Sequence, residues 1–130
     1  MPKNESSRGV FVNFSNHPSA DWPPEQIAAA RRIAGGGVLR DLPFPQVPPD
    51  ADERVILRIA ADCAEKIAAM RPAAVMCMGE FGVCFAAVSL LKARGILCVY
   101  SCTERQSTEK ASACGTEKRS VYVFRRFRAY

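Results

Sequence analysis

The sequence predicts an α/β fold in which helices cover both faces of a mostly parallel β-sheet. Apolar runs at 9–14, 73–78 and 96–101 have the length and composition of strands buried on both faces. Segments with helical periodicity separate these runs, as parallel strands require, because a crossover must carry the chain back across the sheet. At 130 residues the chain fits one domain, 1–130, with its own hydrophobic core.

The first strand and the first helix are bounded by clear signals. A polar start, residues 1–8, is expected to be flexible, and "GVFVNF" (9–14) follows as a nearly continuous apolar strand. The prolines at 23 and 24 suit the first turn of a helix, and "GGG" (35–37) ends that helix.

"VLRDLPF" (38–44) predicts a second strand, which Pro43 should end because proline cannot donate to the sheet. The prolines of "PQVPPDAD" keep the next segment out of regular structure, and Asp50 or Asp52 can cap the helix that follows. Pro72 should end this helix, the clearest element of the sequence. Its apolar residues recur at three- and four-residue steps: Ile56, Ile59, Ala60, Cys63, Ile67 and Met70.

The second half predicts a strand at 73–78, a helix over 81–95 closed by Gly95, and a strand at 96–101. The polar segment 102–118 is expected to connect this strand to a last one, "RSVYVFRRFRAY", at the sheet edge. The order of elements therefore predicts a Rossmann-like three-layer sandwich with a mostly parallel central sheet and an antiparallel C-terminal edge strand.

Composition narrows the functional classes. A net charge of +5 favours anionic partners, and the apolar stretches are too short to span a membrane. The six cysteines lack the C-x-x-C spacing of structural zinc sites and mostly lie in apolar runs, which indicates reduced core residues. Without a signal-peptide pattern, this cysteine usage predicts a cytoplasmic protein.

In an open parallel sheet, ligands bind beyond the carboxyl ends of the strands. The segments that follow three predicted strands are "SNHPS" (15–19), "GEFG" (79–82) and "CTERQSTE" (102–109), and they contain much of the polar chemistry of the chain. We therefore expect the functional site at this edge.

Three residues in these segments have both a structural and a functional interpretation. Glu80 could stabilise a helix N-terminus by about 0.3–1 kcal/mol, or bind a ribose hydroxyl between its flanking glycines. His17, the single histidine, could move a proton or contact phosphate, or be simply solvated. Arg105 could hold a phosphate, or form a surface ion pair with Glu104 or Glu109.

The last strand is basic and aromatic, which suits an oligonucleotide backbone and bases. Arginines on an edge strand also prevent aggregation, which is the commoner reason for them. Strict alternation predicts one face with Tyr122, Phe124, Arg126, Arg128 and Tyr130, and an opposite face with Val121, Val123, Arg125 and Phe127.

Several short motifs resemble a known family. They are G-E-x-G after the third strand, T-x-R with a glutamate four residues beyond the arginine, a terminal F-R-x-Y, and the stretches "FVNFSNHPS" and "LPFPQVPP". Together, from about Val10 to Tyr130, they resemble small stand-alone CRISPR-associated proteins of the CARF-like (CRISPR-associated Rossmann fold) group, several of which are ring nucleases. The sequence departs from the family pattern at Cys102, where a hydroxyl residue is usual.

The resemblance implies a homodimer that binds cyclic oligoadenylate, the second messenger of type III CRISPR immunity, with cyclic tetra-adenylate as the expected ring. It implies cleavage without metal or cofactor, by attack of a 2′-hydroxyl that leaves a 2′,3′-cyclic phosphate, and no binding of double-stranded DNA. The catalytic residues it implies are His17, Glu80 and Arg105. The substrate-binding residues it implies are Asn13, Ser15, Asn16, Gly79, Phe81, Gly82, Thr103, Glu109, Arg126 and Arg128.

Two alternatives stay open at the level of sequence. One is a protein that captures the cyclic nucleotide without cleaving it, as a sensor or a sink. The other is a small enzyme that processes nucleosides or sugar nucleotides with Glu80 as nucleophile, for which trapping a sugar on Glu80 would be diagnostic.

Overall fold

The computed structural model describes residues 9–112 and 115–130, without the side chains of 108–112, 117 and 118. The strands in these ranges are β1 (Val10–Ser15), β2 (Val38–Pro43), β3 (Ala74–Cys77), β4 (Cys98–Ser112) and β5 (Gly115–Ala129). The α-helices are α1 (Pro24–Ile33), α2 (Glu53–Ala69) and α3 (Phe81–Ala93), and a short 3-10 helix covers Ser19–Asp21.

The strands form one sheet in the order β2-β1-β3-β4-β5. The pairs β1–β2, β1–β3 and β3–β4 are parallel, and β5 runs antiparallel to β4 at the edge. The predicted Rossmann-like arrangement is therefore confirmed. Polar segments that follow β1 and β3 lie at the same edge of the sheet because these strands run in the same direction.

Local signals place the helix ends where the sequence predicts them. Pro23 and Pro24 open α1, and the Asp52 side chain caps α2 by accepting a hydrogen bond from the Val55 amide at 3.1 Å. Gly36 closes the end of α1. It lies in the left-handed region with φ of 84°, and its amide donates to the Arg31 carbonyl at 2.8 Å. This is the closure that glycine favours because it carries no Cβ.

Two buried clusters show the three layers. The larger one joins the sheet to α2 and α3, and Val12, Phe14 and Val75 are among its members. The smaller one joins the opposite face of the sheet to α1 and includes Phe11 and Met76. Adjacent strand residues thus point into different cores, which is why β3 is apolar throughout and β1 is apolar except at Asn13 and Ser15.

The prediction of a connecting segment at 102–118 is wrong. The strand β4 continues to Ser112 and pairs with β5 along its whole length, whereas β3 pairs with β4 only at Cys98 and Val99. The two strands therefore form a ribbon that extends past the sheet, here named the arm (residues 102–112 and 115–126). Its strands satisfy each other's backbone groups, so polar side chains can occupy both faces and no apolar pattern marks the ribbon in the sequence.

The predicted division of the last strand into two faces is also wrong in part. Cys102 pairs with Arg126, but Thr103 pairs with Phe124, so Arg125 is an extra residue in β5. Such a bulge shifts the alternation by one position. Phe124 consequently lies on the same side as Phe127, with ring centroids 5.0 Å apart.

The cysteines in the described part of the chain are free. Cys63, Cys77, Cys84 and Cys98 are buried in the core and Cys102 is half-buried, as expected for small apolar residues, and Cys114 lies outside the described residues. Burial raises the pKa of Cys98 to about 11. No helix within the described ranges is long and apolar enough to cross a membrane.

Candidate functional site

A pocket of about 430 Å³ lies at the carboxyl edge of the sheet, on the side covered by α1, and is named here the edge pocket. Its volume falls in the range of small-molecule sites, roughly 300–1,000 Å³. Residues from the β1–α1 connection, α1, β3, β4 and β5 line it: His17, Asp21, Trp22, Pro23, Gln26, Met76, Met78, Ser101, Thr103 and Tyr122.

The loop that presents His17 is fixed by partly buried hydrogen bonds to its main chain. The Asn13 amide nitrogen donates to the His17 carbonyl at 2.8 Å and to an Asp41 carboxylate oxygen at 3.2 Å. The Ser15 hydroxyl donates to the Asn13 side-chain oxygen at 2.6 Å and accepts from the His17 amide at 3.1 Å. The Trp22 indole also donates to the His17 carbonyl, at 3.1 Å. Asn13 and Ser15 thus support the loop from within.

Two polar side chains that line the edge pocket, Gln26 and Ser101, have only weak hydrogen-bond acceptors. The Gln26 amide, buried with its residue, lies 3.8 Å from the Met76 sulfur, and the Ser101 hydroxyl donates to the Met78 sulfur at 3.2 Å. Thioether sulfur is a weak acceptor. A ligand oxygen or nitrogen would therefore be a better partner for either group than the one it has.

Aromatic rings form the walls. Trp22 packs against Phe11 and Phe127 at centroid distances of 6.3 and 6.1 Å, so its indole is held by the α1-side core. Tyr122 is largely exposed on the arm. One fixed ring and one exposed ring therefore face the same space.

Arg105 lies next to the pocket on the arm. It is paired directly with Tyr122, on the face of the ribbon that also carries Thr103. Its guanidinium donates to the Ser120 hydroxyl at 3.1 and 2.9 Å, and no carboxylate in the described part of the chain pairs with it. The rim thus carries a positive charge that a phosphate could neutralise.

Glu80 lies apart from the edge pocket and caps α3. One carboxylate oxygen accepts from the Gly82 amide at 2.8 Å and the other from the Val83 amide at 2.9 Å. With Asn16 and residues 44–47, Glu80 lines a separate groove of about 370 Å³. This geometry matches the structural interpretation of Glu80, in which a carboxylate occupies the free amides of a helix N-terminus.

The glycines beside Glu80 make room for side chains of the protein itself. A Cβ on Gly79 would lie 2.6 Å from the Phe44 ring, which stacks on Phe14 at 4.6 Å. A Cβ on Gly82 would come within 3.1 Å of Ile56. Their lack of a side chain is thus explained by packing.

The arginines near the end of β5 lie on the other face of the sheet. Arg126 pairs with Cys102 and Arg128 with Tyr100, whereas Ser101 and Thr103 face the edge pocket. Arg128 lies over the Tyr100 ring, 5.8 Å from its centroid. The sheet therefore separates these cations from the pocket of the same chain.

The site residues implied by the resemblance are thus divided among several places. The edge pocket brings together His17 and Thr103, with Arg105 beside it and Asn13 and Ser15 behind the loop. The side chain of Glu109 lies outside the described part of the structure. The residues that this pocket does not include are Asn16, Gly79, Glu80, Phe81, Gly82, Arg126 and Arg128.

Sequence reasoning missed Trp22, Gln26, Ser101 and Tyr122. Trp22 is the single tryptophan and stands just before a helix start, a signal that could have been used. Gln26 lies on the buried face of α1, where an amide without an obvious partner indicates a role. Tyr122 could not be placed because the bulge at Arg125 reverses its face.

The chain was compared with protein-family models, curated proteins and solved structures. The model of the family described as "Uncharacterized protein MJ1673 family" matches residues 9–128, and no curated protein and no solved structure matches. The matched segment runs from the residue before β1 to one residue before the end of β5, so it contains every element that builds the edge pocket. The chain accordingly belongs to the uncharacterized protein MJ1673 family.

Proposed function

We propose that this protein is a ring nuclease that binds cyclic oligoadenylate, with cyclic tetra-adenylate as its substrate, and cleaves it to switch off type III CRISPR signalling. The observation that supports this proposal is the composition of the edge pocket, where aromatic rings, an amide, hydroxyls and the single histidine converge. Aromatic and polar groups in this combination suit a nucleoside.

We assign an adenine base to the inner part of the pocket. Stacking on an aromatic side chain contributes about 1–3 kcal/mol per base, and the exposed Tyr122 is the ring assigned to this contact, with the buried Trp22 also in the pocket wall. A glutamine amide can bind adenine with two hydrogen bonds, through N6 and N7. Gln26 meets only a thioether in the free protein, so it is available for this role.

The proposed reaction uses the ribose of the ring as nucleophile. The 2′-oxygen forms a bond to the adjacent phosphorus, the bond from phosphorus to the 5′-oxygen breaks, and the products are a 2′,3′-cyclic phosphate and a 5′-hydroxyl. His17 takes the proton from the 2′-hydroxyl or gives one to the 5′-oxygen. Arg105 stabilises the charge on the phosphate, and the Thr103 hydroxyl orients the ribose. No cofactor enters the proposed reaction.

A symmetric ring suits a symmetric protein, and the proposal includes a homodimer whose two-fold axis matches that of the bound ring. In a dimer, each half of cyclic tetra-adenylate would meet one edge pocket. The cytoplasm is the proposed location, since the buried free thiols suit a reducing compartment.

The test is to incubate the protein with cyclic tetra-adenylate or cyclic hexa-adenylate in the presence of EDTA and to identify products by liquid chromatography and mass spectrometry. Linear fragments with 2′,3′-cyclic phosphate ends support the proposal. His17→Ala should then lower the rate by at least about 100-fold, the size of a general acid–base contribution. Asn16→Ala, a change in the same loop but outside the edge pocket, should retain the wild-type rate within a few fold.

Intact rings that co-elute with the protein would contradict cleavage and leave a binding protein. Intact rings without binding would overturn the proposal. A nucleophilic role for Glu80 in a sugar-nucleotide enzyme receives no support from the geometry, because Glu80 caps α3 and does not line the edge pocket.

A further inference from the structure

An apolar face lies on the layer opposite the edge pocket, where α2 and α3 pack together. Phe81 and Phe85, one turn apart on α3, are 91% and 79% exposed, and Leu57 on α2 is 57% exposed. These three residues define the α2–α3 face. Aromatic side chains this exposed are unusual on a monomer when they adjoin one another, whereas single exposed apolar residues are common.

The α2–α3 face has a hollow as well as projections. A groove of about 300 Å³ lies between the two helices, apolar for the most part and with two carboxylates at one end; it is lined by Ala51, Asp52, Glu53, Ile56, Leu57, Gly82, Phe85 and Ala86. Phe81 precedes the groove residue Gly82 in the sequence, and its side chain projects into solvent. A surface that carries both a projecting ring and an apolar hollow can be complementary to a rotated copy of itself, as a two-fold interface requires.

The area is sufficient for the centre of such an interface. Each phenylalanine contributes about 150–250 Å² when it becomes buried, so the three side chains expose on the order of 400 Å² of apolar surface. A stable dimer buries about 800 Å² per partner. The α2–α3 face would thus supply about half of that area, with polar residues of α2 as the rim.

The charges around the face also complement a second copy. Glu53 opens α2 at one end of the groove, and Arg54 and Arg58 lie on the same helix, one and five residues further along. All three are exposed, and none takes part in an ion pair among the described residues. A two-fold rotation that sets α2 against its own copy in the opposite direction brings the acidic end of one helix towards the arginines of the other.

We infer that the α2–α3 face is the interface of a homodimer and that Phe81 of each copy enters the groove of the other. Because this face lies on the layer opposite the edge pocket, the interface goes beyond the proposed function and is separate from the two-fold arrangement around the ring. Because the dimer is measured without any nucleotide, failure of this inference and failure of ring cleavage are distinguishable.

The test is sedimentation velocity, with light scattering after size exclusion, over a micromolar concentration series. The wild type should be a dimer, and Phe81→Ser and Phe85→Ser should each raise the dimer Kd by about 30-fold or more, as for residues at the centre of an interface. Leu97→Ser is the matched control, since Leu97 is exposed at 44% but lies before β4 and outside the α2–α3 face. It should leave the Kd within about twofold of wild type.

Thermal unfolding of each variant establishes that it is folded, which we expect because the replaced rings are exposed. A wild type that is monomeric throughout the series would overturn the inference and leave the face to a different partner. A dimer that resists both Phe81→Ser and Phe85→Ser would overturn it equally, because the interface would then lie elsewhere.

Discussion

The main-chain oxygen of His17 is the centre of a small hydrogen-bond network. Asn13 and Trp22 donate to it from opposite ends of the loop, and the Ser15 hydroxyl accepts a hydrogen bond from the amide of His17 itself. The network uses backbone groups of His17, a residue that lines the edge pocket. A loop that is already ordered loses little further conformational freedom when a ligand binds, which favours precise placement of the His17 side chain.

Asn13→Ala should lower the free energy of unfolding by about 1–3 kcal/mol. Asn13 is buried, and its loss would leave the Ser15 hydroxyl and the Asp41 carboxylate without a partner that they now share. Urea denaturation followed by circular dichroism measures the change. Asn16→Ala is the matched control on the exposed side of the loop and should change stability by less than about 0.5 kcal/mol.

Glu80→Ala should cost about 0.5–2 kcal/mol of stability, because the amides of Gly82 and Val83 lose their acceptor. Glu80→Gln keeps one acceptor oxygen and should cost less. If ring cleavage occurs, both variants should retain the wild-type rate within a few fold at a temperature where they are folded. A large loss of rate with unchanged stability would instead assign Glu80 to the chemistry.

At the level of elements, the β3–α3 turn depends on the absence of a side chain at Gly79. Gly79→Ala would place a methyl group 2.6 Å from the Phe44 ring, which cannot move freely because it stacks on Phe14. We expect a loss of about 1–3 kcal/mol in urea denaturation. The double variant with Phe44→Leu should lose less than the sum of the two single variants, and strict additivity would contradict a clash at this position.

Elements buried on both faces were predictable because burial leaves a dense apolar signal. The strands β1 and β3 fall within one residue of their predicted bounds for this reason. The helix α2 is buried on one face only and was predictable from its helical periodicity. The arm was not predictable, since its two strands stabilise each other through backbone hydrogen bonds and leave side chains free to be polar. A polar segment of that kind cannot be told from a loop by its hydropathy.

The candidate site was only partly predictable for a related reason. The strand-end rule directs attention to the edge where His17 and Thr103 line a pocket, since it depends on topology. It does not say on which face of the sheet a strand-end residue lies. Near the same edge, Glu80 caps α3 and Arg128 lies on the α3 side of the sheet. Gln26 and Tyr122 reach the pocket only because α1 packs beside β5.

At the level of the whole molecule, the C-terminal tyrosine ties β5 to the centre of the sheet. The Tyr130 hydroxyl donates to the Cys77 carbonyl at 2.6 Å, and burial raises its pKa to about 12. Burial also raises the pKa of Cys98 to about 11. Both groups hold their protons more tightly in the folded protein than in the unfolded chain, so both stabilise the fold below the pKa of the unfolded state.

The free energy of unfolding should therefore decrease with rising pH. Cys98 contributes between about 9 and 11, and Tyr130 between about 10 and 12. Urea denaturation at a series of pH values measures this decrease, and a constant stability over that interval would contradict it. Tyr130→Phe should cost about 1 kcal/mol at neutral pH and remove the Tyr130 part of the slope. Tyr122→Phe, on an exposed residue, should change neutral stability by less than about 0.5 kcal/mol.

The bulge at Arg125 also determines how the hairpin can change in length. Deletion of Arg125 would restore regular alternation while Tyr122 and Phe124 stayed on the side of α1 and Arg126 and Arg128 on the side of α3. Deletion of a single residue elsewhere in the paired part of β5 would reverse every side chain between that point and the turn. Some relatives will have a β5 that is one residue shorter. Those that keep a ring at the position of Tyr122 in the edge pocket should therefore lack the residue that corresponds to Arg125.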